Sequence, residues 1–247
     1  MIEKKYSLFA SKKIFVNDKF KDCIEFVKEL PTYFKNKEGK VIHEGRNELR
    51  EFHYKGKDLV VKSFCKPNLI NQIAYGLLRS SKAQRSYEYA AMLLQTGIGS
   101  PMPVAYFTER KGLLFNKSYY VSLKSECPYT YNDLLKQHFD HEEIILRAIA
   151  ATTAEMHERG YLHKDYSRGN ILFRETAEGV KVEIIDLNRI RFKQINMEEG
   201  CKNFERLPGK NEWWKIMAET YAERRGFDAE TCYQLICQAI ENCDLNK

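Results

Sequence analysis

Apolar and polar positions alternate along residues 41–64 in the manner of β-strands. Glu48–Tyr54 forms one candidate strand, and the run DLVVKSF, rich in β-branched and aromatic residues, forms a second. Gly56 lies between them, where a glycine suits a tight hairpin turn. A further strand pair is predicted after Pro101, and SYYVSL at 118–123 is its second member.

Two other segments, 84–96 and 141–159, repeat apolar residues every three or four positions, which is typical of helices packed on one face. Gly97 and Gly160 follow them, and glycine commonly ends a helix. Residues 187–247 are also mostly helical in pattern. Strands with one helix, followed by mainly helices, predict an α+β chain.

A connector at residues 125–130, SECPYT, separates the two kinds of pattern. We therefore predict two lobes: residues 1–124 as a β-rich N-lobe and 125–247 as a small, mainly helical C-lobe. A length of 247 residues suits such a division. A linker with several polar residues is predicted between the second strand of the hairpin and the first helix.

Asp165 and Asn170 flank a short loop that leads into a predicted hairpin ending at Asp186. Phosphoryl transfer requires metal ions that neutralise the phosphates and a group that receives the proton of the attacking hydroxyl. An acid before the loop can face that hydroxyl. An amide after the loop and an acid at the end of the hairpin can converge on Mg²⁺, which prefers oxygen ligands.

The same segments resemble the motifs of protein kinases. HKDYSRGN resembles the catalytic loop H-R-D-x-x-x-x-N, IIDLN resembles the strand that leads into D-F-G, and LVVKSF resembles the strand that carries the ATP-binding lysine. Taken with TGIGSPMPVAYF and the polar linker, these strings resemble the bacterial lipopolysaccharide kinase family, whose members phosphorylate Kdo or heptose sugars of the lipid A core. The resemblance implies a protein-kinase-like two-lobed fold.

The resemblance also implies a role for each matching residue. Lys62 would contact the ATP phosphates and Glu88 would hold Lys62, while Asp165 would be the catalytic base. Asn170 and Asp186 would bind Mg²⁺. The alternatives to Lys62 and Glu88 are nearby residues of the same types: Lys57, Lys66, Glu109 and Glu126.

Several positions depart from the kinase pattern. No G-x-G-x-x-G precedes the lysine strand, and Gly45 is the glycine available there. Asn188 replaces the glycine of D-F-G, and Lys164 replaces the arginine of H-R-D. Ser167 stands where a lysine is expected, so Arg168, one residue on, is a candidate for the missing cofactor-binding charge. His163 is expected to pack beneath the loop and orient it.

A net charge of +6 is only a modest excess of basic residues. The excess is concentrated near the N-terminus, at Lys4, Lys5, Lys12, Lys13, Lys19 and Lys21. These lysines are typical of a solvated surface, or alternatively of attraction to an anionic substrate or membrane. No nucleic-acid-binding motif is present, so nucleic acid is not expected as a partner. The absence of an apolar leader segment and of CxxC pairs favours a cytoplasmic protein, with peripheral contact at the inner membrane as an option.

These features predict an ATP- and Mg²⁺-dependent phosphotransferase. By resemblance, the acceptor is a glycolipid, a Kdo or heptose sugar of the lipopolysaccharide core. Residues 187–247 lack the A-P-E motif and the long helical region with which protein kinases hold a peptide. Arg189 and Arg191 are interpreted either as contacts to acceptor phosphates or as an ordinary basic strand end. A protein Ser/Thr or Tyr kinase and a non-catalytic pseudokinase remain as alternatives.

Overall fold

A computed structural model of the chain describes residues 2–7, 10–65, 80–111 and 114–244. They divide into two compact units, which lie within Met1–Met92 with Pro101–Lys124, and within Leu93–Ser100 with Ser125–Lys247. The segment Leu93–Ser100 precedes the predicted boundary in sequence but groups with the second unit. Most of the polar linker predicted before the first helix falls on residues 66–79, outside the described residues.

Seven antiparallel strands build the sheet of the first unit, in the order β1-β2-β6-β7-β5-β4-β3. Their bounds are β1 Ile2–Ser7, β2 Ala10–Val16, β3 Lys40–His43, β4 Glu48–Tyr54, β5 Lys57–Phe64, β6 Pro103–Lys111 and β7 Leu114–Leu123. The β4–β5 hairpin was predicted correctly. Lys55 and Gly56 both have positive φ, +48° and +72°, as a two-residue type I′ turn requires.

Helix α1 (Ile24–Lys35) follows a 3₁₀ helix at Asp18–Cys23 and packs on one face of this sheet. Its Val27 and Leu30 join Leu59 and Val61 of β5 in a fully buried core. The sequence pattern predicts no secondary structure before residue 41, so β1, β2 and α1 are additions to the predicted fold.

Helix α2 (Lys82–Gln95) lies on the opposite face of the sheet and corresponds to the predicted helix at 84–96. Ala83 and Tyr87 pack there against Phe64 of β5 and Tyr106 of β6. Because neighbouring strand residues point to opposite faces, Val61 faces α1 while Phe64 faces α2.

The second unit is mainly helical, as predicted. Its helices are α3 Tyr131–Leu134, α4 Glu142–Glu158, α5 Met197–Lys202, α6 Asn211–Arg225 and α7 Ala229–Asp244. Helix α4 packs against α6, and α6 packs against α7. Gly160 follows α4 with a φ of +75°, a conformation in which a glycine carries no Cβ penalty.

Two small sheets complete the second unit and carry the catalytic-loop sequence. One sheet has the order β11-β10-β8, and the other pairs β9 with β12. The strands are β8 Tyr129–Thr130, β9 Tyr161–His163, β10 Ile171–Thr176, β11 Gly179–Ile184 and β12 Ile190–Phe192. The β10–β11 hairpin is the one predicted to end at Asp186. The short pair β9–β12 holds the two ends of the site together, because His163 lies opposite Ile190.

Candidate active site

His163 organises the centre of the candidate site from beneath. It is fully buried, its Nε2 lies 3.0 Å from the Ile185 carbonyl oxygen, and the Asp165 backbone N–H donates to its Nδ1 at 3.1 Å. A carbonyl oxygen only accepts, so Nε2 carries the proton and the imidazole is neutral. Burial lowers the pKa of His163 accordingly. The prediction that this residue orients the loop is confirmed.

Asn170 closes the loop that begins at Asp165. Its side-chain Nδ2 donates to the Asp165 carbonyl oxygen at 2.8 Å, and its backbone N–H donates to Ser167 O at 2.8 Å. Since the amide nitrogen is engaged in this way, the amide oxygen Oδ1 is the atom that remains to coordinate a cation. The Asn170 carbonyl oxygen accepts from the N–H of Ile185 at 3.0 Å, which fixes the loop against the residue before Asp186.

Asp186 adopts a left-handed backbone conformation, with φ +58° and ψ +44°, directly after the strand that delivers it. Its Oδ1 accepts a hydrogen bond from Nδ2 of Asn188, which is buried within a single 3₁₀ turn, Leu187–Arg189. Asn188, the residue that departs from D-F-G, therefore helps to orient the predicted metal-binding carboxylate.

The carboxylate of Asp165 lies between two arginines. Arg206 Nη1 donates to its Oδ1, and Arg189 Nη1 lies 3.6 Å from its Oδ2. Arg206 follows α5 and stands 41 positions from Asp165 in the chain. The sequence analysis did not single it out, because no local spacing links the two residues.

A buried network supports the backbone of this site. Asn203 Nδ2 donates to the His163 carbonyl oxygen at 3.0 Å, and its Oδ1 accepts from His157 Nε2 at 3.0 Å. The Tyr221 hydroxyl lies 2.9 Å from the other nitrogen of His157. Burial lowers the pKa of His157 to about 4, so this imidazole is neutral as well. Helices α4 and α6 are thus joined by side chains to the strand that precedes the catalytic loop.

Tyr166 anchors the loop from within the core. Its side chain is buried, and its hydroxyl lies 2.7 Å from Oγ1 of Thr153 on α4. Thr153 already donates its hydroxyl proton to the Ile149 carbonyl oxygen at 2.8 Å, so Tyr166 is the donor in this pair. The residue beside Asp165 is consequently held in one orientation.

Lys62 and Glu88 lie in the first unit, on β5 and α2. Lys62 pairs directly with Tyr120 of β7, and Tyr120 packs in the cluster beneath α2. Directly paired residues share a face of the sheet, so Lys62 is on the face that carries Glu88. Glu88 Oε1 accepts from Gln84 Nε2 at 2.7 Å. Together with burial, the negative charge of Glu88 raises the pKa of Tyr106 to about 12.

The alternatives to these two residues have other engagements. Lys57 Nζ lies 2.7 Å from Asp22 Oδ2, and Glu109 Oε2 accepts from Asn116 Nδ2. Glu126 pairs with Arg174 at 3.2 Å. Lys66 lies outside the described residues.

The other predicted positions are also placed by the structure. Arg168 and Arg191 are exposed, the first in the catalytic loop and the second on β12, and Arg168 uses its carbonyl oxygen to accept from Asn132 N–H at 3.1 Å. Gly45 lies between β3 and β4. Asp165, Asn170 and Asp186 are thus brought together in one unit, while in the other Lys62 lies on the sheet face against which α2, the helix of Glu88, packs.

The donor set fits a hard divalent cation. Asn170 and Asp186 offer an amide oxygen and a carboxylate oxygen, and Mg²⁺ typically takes one or two protein oxygens alongside waters and substrate phosphates. Among the described residues, no three His, Cys, Asp or Glu side chains gather into a metal cluster. The two oxygens of Asn170 and Asp186 suit a metal ion that arrives with a phosphate ligand.

One comparison with known proteins identifies a family. The model of a family described as the lipopolysaccharide kinase (Kdo/WaaP) family matches residues 33–223. Among curated protein sequences, none matches the chain.

Two solved structures are similar in fold. WaaP in complex with acyl carrier protein has a TM-score of 0.63 at 14% identity, covering 94% of this chain and 98% of the other. The Rio2 kinase complex with ADP, Mg²⁺ and phosphoaspartate from Chaetomium thermophilum has a TM-score of 0.50 at 15% identity, covering 100% of this chain and 82% of the other. The predicted kinase-like α+β fold is confirmed.

Proposed function

The chain belongs to the lipopolysaccharide kinase (Kdo/WaaP) family, and from that premise we propose that it uses ATP and Mg²⁺ to phosphorylate a Kdo or heptose hydroxyl of the lipopolysaccharide inner core. Membership makes it a phosphotransferase that acts on a sugar hydroxyl. The proposal adds the phosphate donor, the metal ion and the class of core sugar.

Each predicted residue has a role in the proposed reaction. Asp165 accepts the proton of the acceptor hydroxyl as that oxygen attacks the γ-phosphorus of ATP, and the bond from this phosphorus to the bridging oxygen breaks so that ADP leaves. Asn170 and Asp186 would hold Mg²⁺, which would neutralise charge on the phosphates. Lys62, positioned by Glu88, contacts the phosphates from the first unit, so residues 1–124 act as the ATP-binding lobe and 125–247 as the catalytic lobe.

One observation carries the proposal. The hydrogen bond from Asn170 Nδ2 to the Asp165 carbonyl oxygen ties the predicted base to the predicted metal ligand, and Ile185 N–H on the Asn170 carbonyl ties both to Asp186. A loop that served only as a connection would not need an acid, an amide and a second acid fixed in this way. The pattern favours the catalytic assignment over the pseudokinase alternative.

Exposed cations around the site favour an anionic acceptor. Just past Asp186, Arg189 precedes β12 and Arg191 lies on it, and Arg168 is exposed on the loop itself. Guanidinium groups bind phosphate and carboxylate with two parallel hydrogen bonds. We propose that Arg189 and Arg191 contact acidic groups of the core, while Arg168 adds positive charge near the nucleotide.

The test is transfer of labelled phosphate from ATP to purified lipid A–core acceptors, with a generic protein substrate in parallel. We expect labelled glycolipid and no labelled protein, with activity lost when Mg²⁺ is chelated. The double variant Arg189→Ala with Arg191→Ala should raise the KM for the glycolipid and leave the KM for ATP unchanged. Efficient labelling of the protein substrate alone would refute the acceptor class.

A further inference from the structure

The contact between Arg206 and Asp165 conflicts with the base role unless it is temporary. We propose that Arg206 is an acceptor-recognition residue: an anionic group of the acceptor, a carboxylate or a phosphate, draws Arg206 away from Asp165 and thereby frees the base. This inference rests on the proposed function, since it takes Asp165 as the group that receives the hydroxyl proton.

The conflict follows from the available oxygen atoms. The acceptor hydroxyl must donate its hydrogen bond to one of the two Asp165 oxygens before its proton can move. Arg206 Nη1 already donates to Oδ1, and Arg189 Nη1 lies 3.6 Å from Oδ2. With both guanidinium groups in place, Arg206 occupies one carboxylate oxygen by a hydrogen bond and Arg189 holds its positive charge against the other, so an incoming hydroxyl competes with two cations for the carboxylate.

Exchange is feasible because the pair is open to solvent. The Arg206 side chain is 44% exposed and that of Arg189 is 55% exposed, while that of Asp165 is 24% exposed. Ion pairs between exposed side chains are weak, so a second anion can compete for the arginine. A phosphate or carboxylate offers the bidentate geometry that arginine prefers.

The backbone of Arg206 is fixed, so only its side chain needs to move. Its neighbours Phe204 and Leu207 are buried, and Asn203 is hydrogen-bonded to the His163 carbonyl oxygen. The guanidinium is therefore held within side-chain reach of Asp165. An acceptor whose acidic group lies close to the reacting hydroxyl would meet Arg206 and Asp165 together.

This arrangement selects a class of substrate. A neutral sugar leaves Arg206 on Asp165 and so reacts slowly, whereas an acidic sugar, or one next to a phosphorylated sugar, removes the arginine as it binds. The opposing interpretation is that Arg206 merely orients Asp165. The two interpretations predict different effects of removing Arg206. If Arg206 orients Asp165, its loss slows phosphate transfer to every acceptor. If Arg206 competes for Asp165, its loss does not slow transfer to a neutral acceptor.

The experiment compares Arg206→Ala, Arg206→Lys and the wild type, with Arg224→Ala, an exposed arginine of the same unit, as control. Four acceptors are offered: a lipid A–core, the same core after removal of its phosphates, the same core after reduction of its carboxylates to alcohols, and a neutral core given both treatments. We expect the wild type to prefer an anionic form by roughly tenfold or more, about the effect of one charge-assisted contact. A loss of preference after phosphate removal identifies phosphate as the recognised group. A loss after carboxylate reduction identifies carboxylate.

In Arg206→Ala the preference should disappear through a higher KM for the anionic acceptor, while the rate with the neutral acceptor rises because Arg206 no longer competes for Asp165. Arg206→Lys should keep part of the preference, and Arg224→Ala should match the wild type. An equal loss of rate with all acceptors would show that Arg206 only orients Asp165. An unchanged preference would remove Arg206 from acceptor recognition.

A second readout is independent of the glycolipid. Slow hydrolysis of ATP uses water as the neutral acceptor, so Arg206→Ala should raise it above the wild-type level. If no glycolipid is phosphorylated but hydrolysis rises in Arg206→Ala, the proposed acceptor is wrong and the arginine exchange stands. Hydrolysis that stays level or falls in the variant overturns the exchange itself.

Discussion

The backbone of Asp186 shows how a single residue can carry conformational strain for a chemical purpose. A left-handed conformation is rare for a non-glycine residue and costs roughly 1 kcal/mol or more. It persists here because Asn188 binds the side chain and Ile185 is hydrogen-bonded to Asn170. The conformation turns the carboxylate away from the line of β11, which supports the proposed metal role.

For Asp186→Asn we expect weaker nucleotide binding in the presence of Mg²⁺ and little change without it. Asparagine tolerates the left-handed conformation, so the fold should be retained while the ionised carboxylate is lost. Nucleotide titration with and without Mg²⁺ measures the difference. Asp140→Asn, at an exposed position of the same unit, is the control. Equal losses in both conditions would mean that Asp186 has only a structural role.

For Asp165→Asn we expect nucleotide binding to persist while phosphate transfer falls by roughly 10²–10⁴-fold, the usual contribution of general-base catalysis. The amide keeps the size of the side chain but cannot take the hydroxyl proton. Single-turnover assays with saturating ATP measure the loss. Near-normal turnover would remove Asp165 from the mechanism.

Local spacing in the sequence was enough to propose Asp165, Asn170 and Asp186, because all three belong to one loop and one hairpin. It could not find Arg206, which reaches Asp165 only after α5 has folded against the unit. Asn203 was missed for the same reason. Contacts between residues distant in the chain leave no periodic or spacing signal in a single sequence.

At the level of elements, regular apolar periodicity located the helices well. The predicted segments 84–96 and 141–159 became Lys82–Gln95 and Glu142–Glu158. Strands β1 and β2 were missed, since their sequences IEKKYS and ASKKIFV carry paired lysines in place of alternation. These strands form because β2 pairs with β6 and β1 with β2, and such tertiary pairing is not visible in the local pattern.

The hydrogen-bond network that links α4, β9 and α6 makes the free energy of unfolding depend on pH. His157 is neutral in the fold, with its pKa lowered from 6.5 to about 4 by burial. The unfolded chain takes up a proton on this histidine below about pH 6.5, whereas the folded chain does so only near pH 4. The contribution of His157 to the free energy of unfolding is therefore complete above pH 6.5. It is lost as the pH falls toward 4, and the loss amounts to roughly 3 kcal/mol.

Burial lowers the pKa of His163 too, so its contribution has the same sign. We expect the urea concentration at the midpoint of unfolding to decrease as the pH is lowered from 7 to 5. His157→Gln should be less stable at pH 7 but less sensitive to pH, because one buried titrating group is gone. His138→Gln, at an exposed histidine, should keep the full dependence. An identical pH dependence in His157→Gln would contradict this account.

At the scale of the whole molecule, the architecture is retained at low sequence identity. The chain matches WaaP over 94% of its length at 14% identity. Fold class and family could be predicted from the strings quoted from the catalytic loop because a phosphotransfer centre restricts the order and spacing of a few residues. The grouping of Leu93–Ser100 with the second unit could not be predicted from the sequence. It depends on the hydrogen bond that Ile184 N–H donates to the Gly99 carbonyl oxygen, which joins residues far apart in the chain.

The net positive charge of the chain favours attraction to an anionic surface. The chain carries 40 Lys and Arg against 34 Asp and Glu, and the edge strand β1 pairs Lys4 with Lys13 and Lys5 with Lys12 on β2. Lys12 of β2 has a counter-charge, because Glu109 lies 3.8 Å from it. An anionic membrane surface attracts a lysine-rich segment such as this strand pair. None of the described helices is long and apolar enough to cross a membrane.

We therefore expect the protein to sediment with anionic phospholipid vesicles at about 50 mM salt and to be released near 0.5 M, because screening shortens from more than 10 Å to only a few ångströms over that range. Neutral phosphatidylcholine vesicles should bind little at either concentration. The double variant Lys4→Glu with Lys5→Glu should bind less than Lys136→Glu with Lys215→Glu, which makes the same change of net charge at exposed positions of the second unit. Equal losses in the two double variants would attribute binding to net charge alone, and salt-independent binding would rule out an electrostatic surface contact.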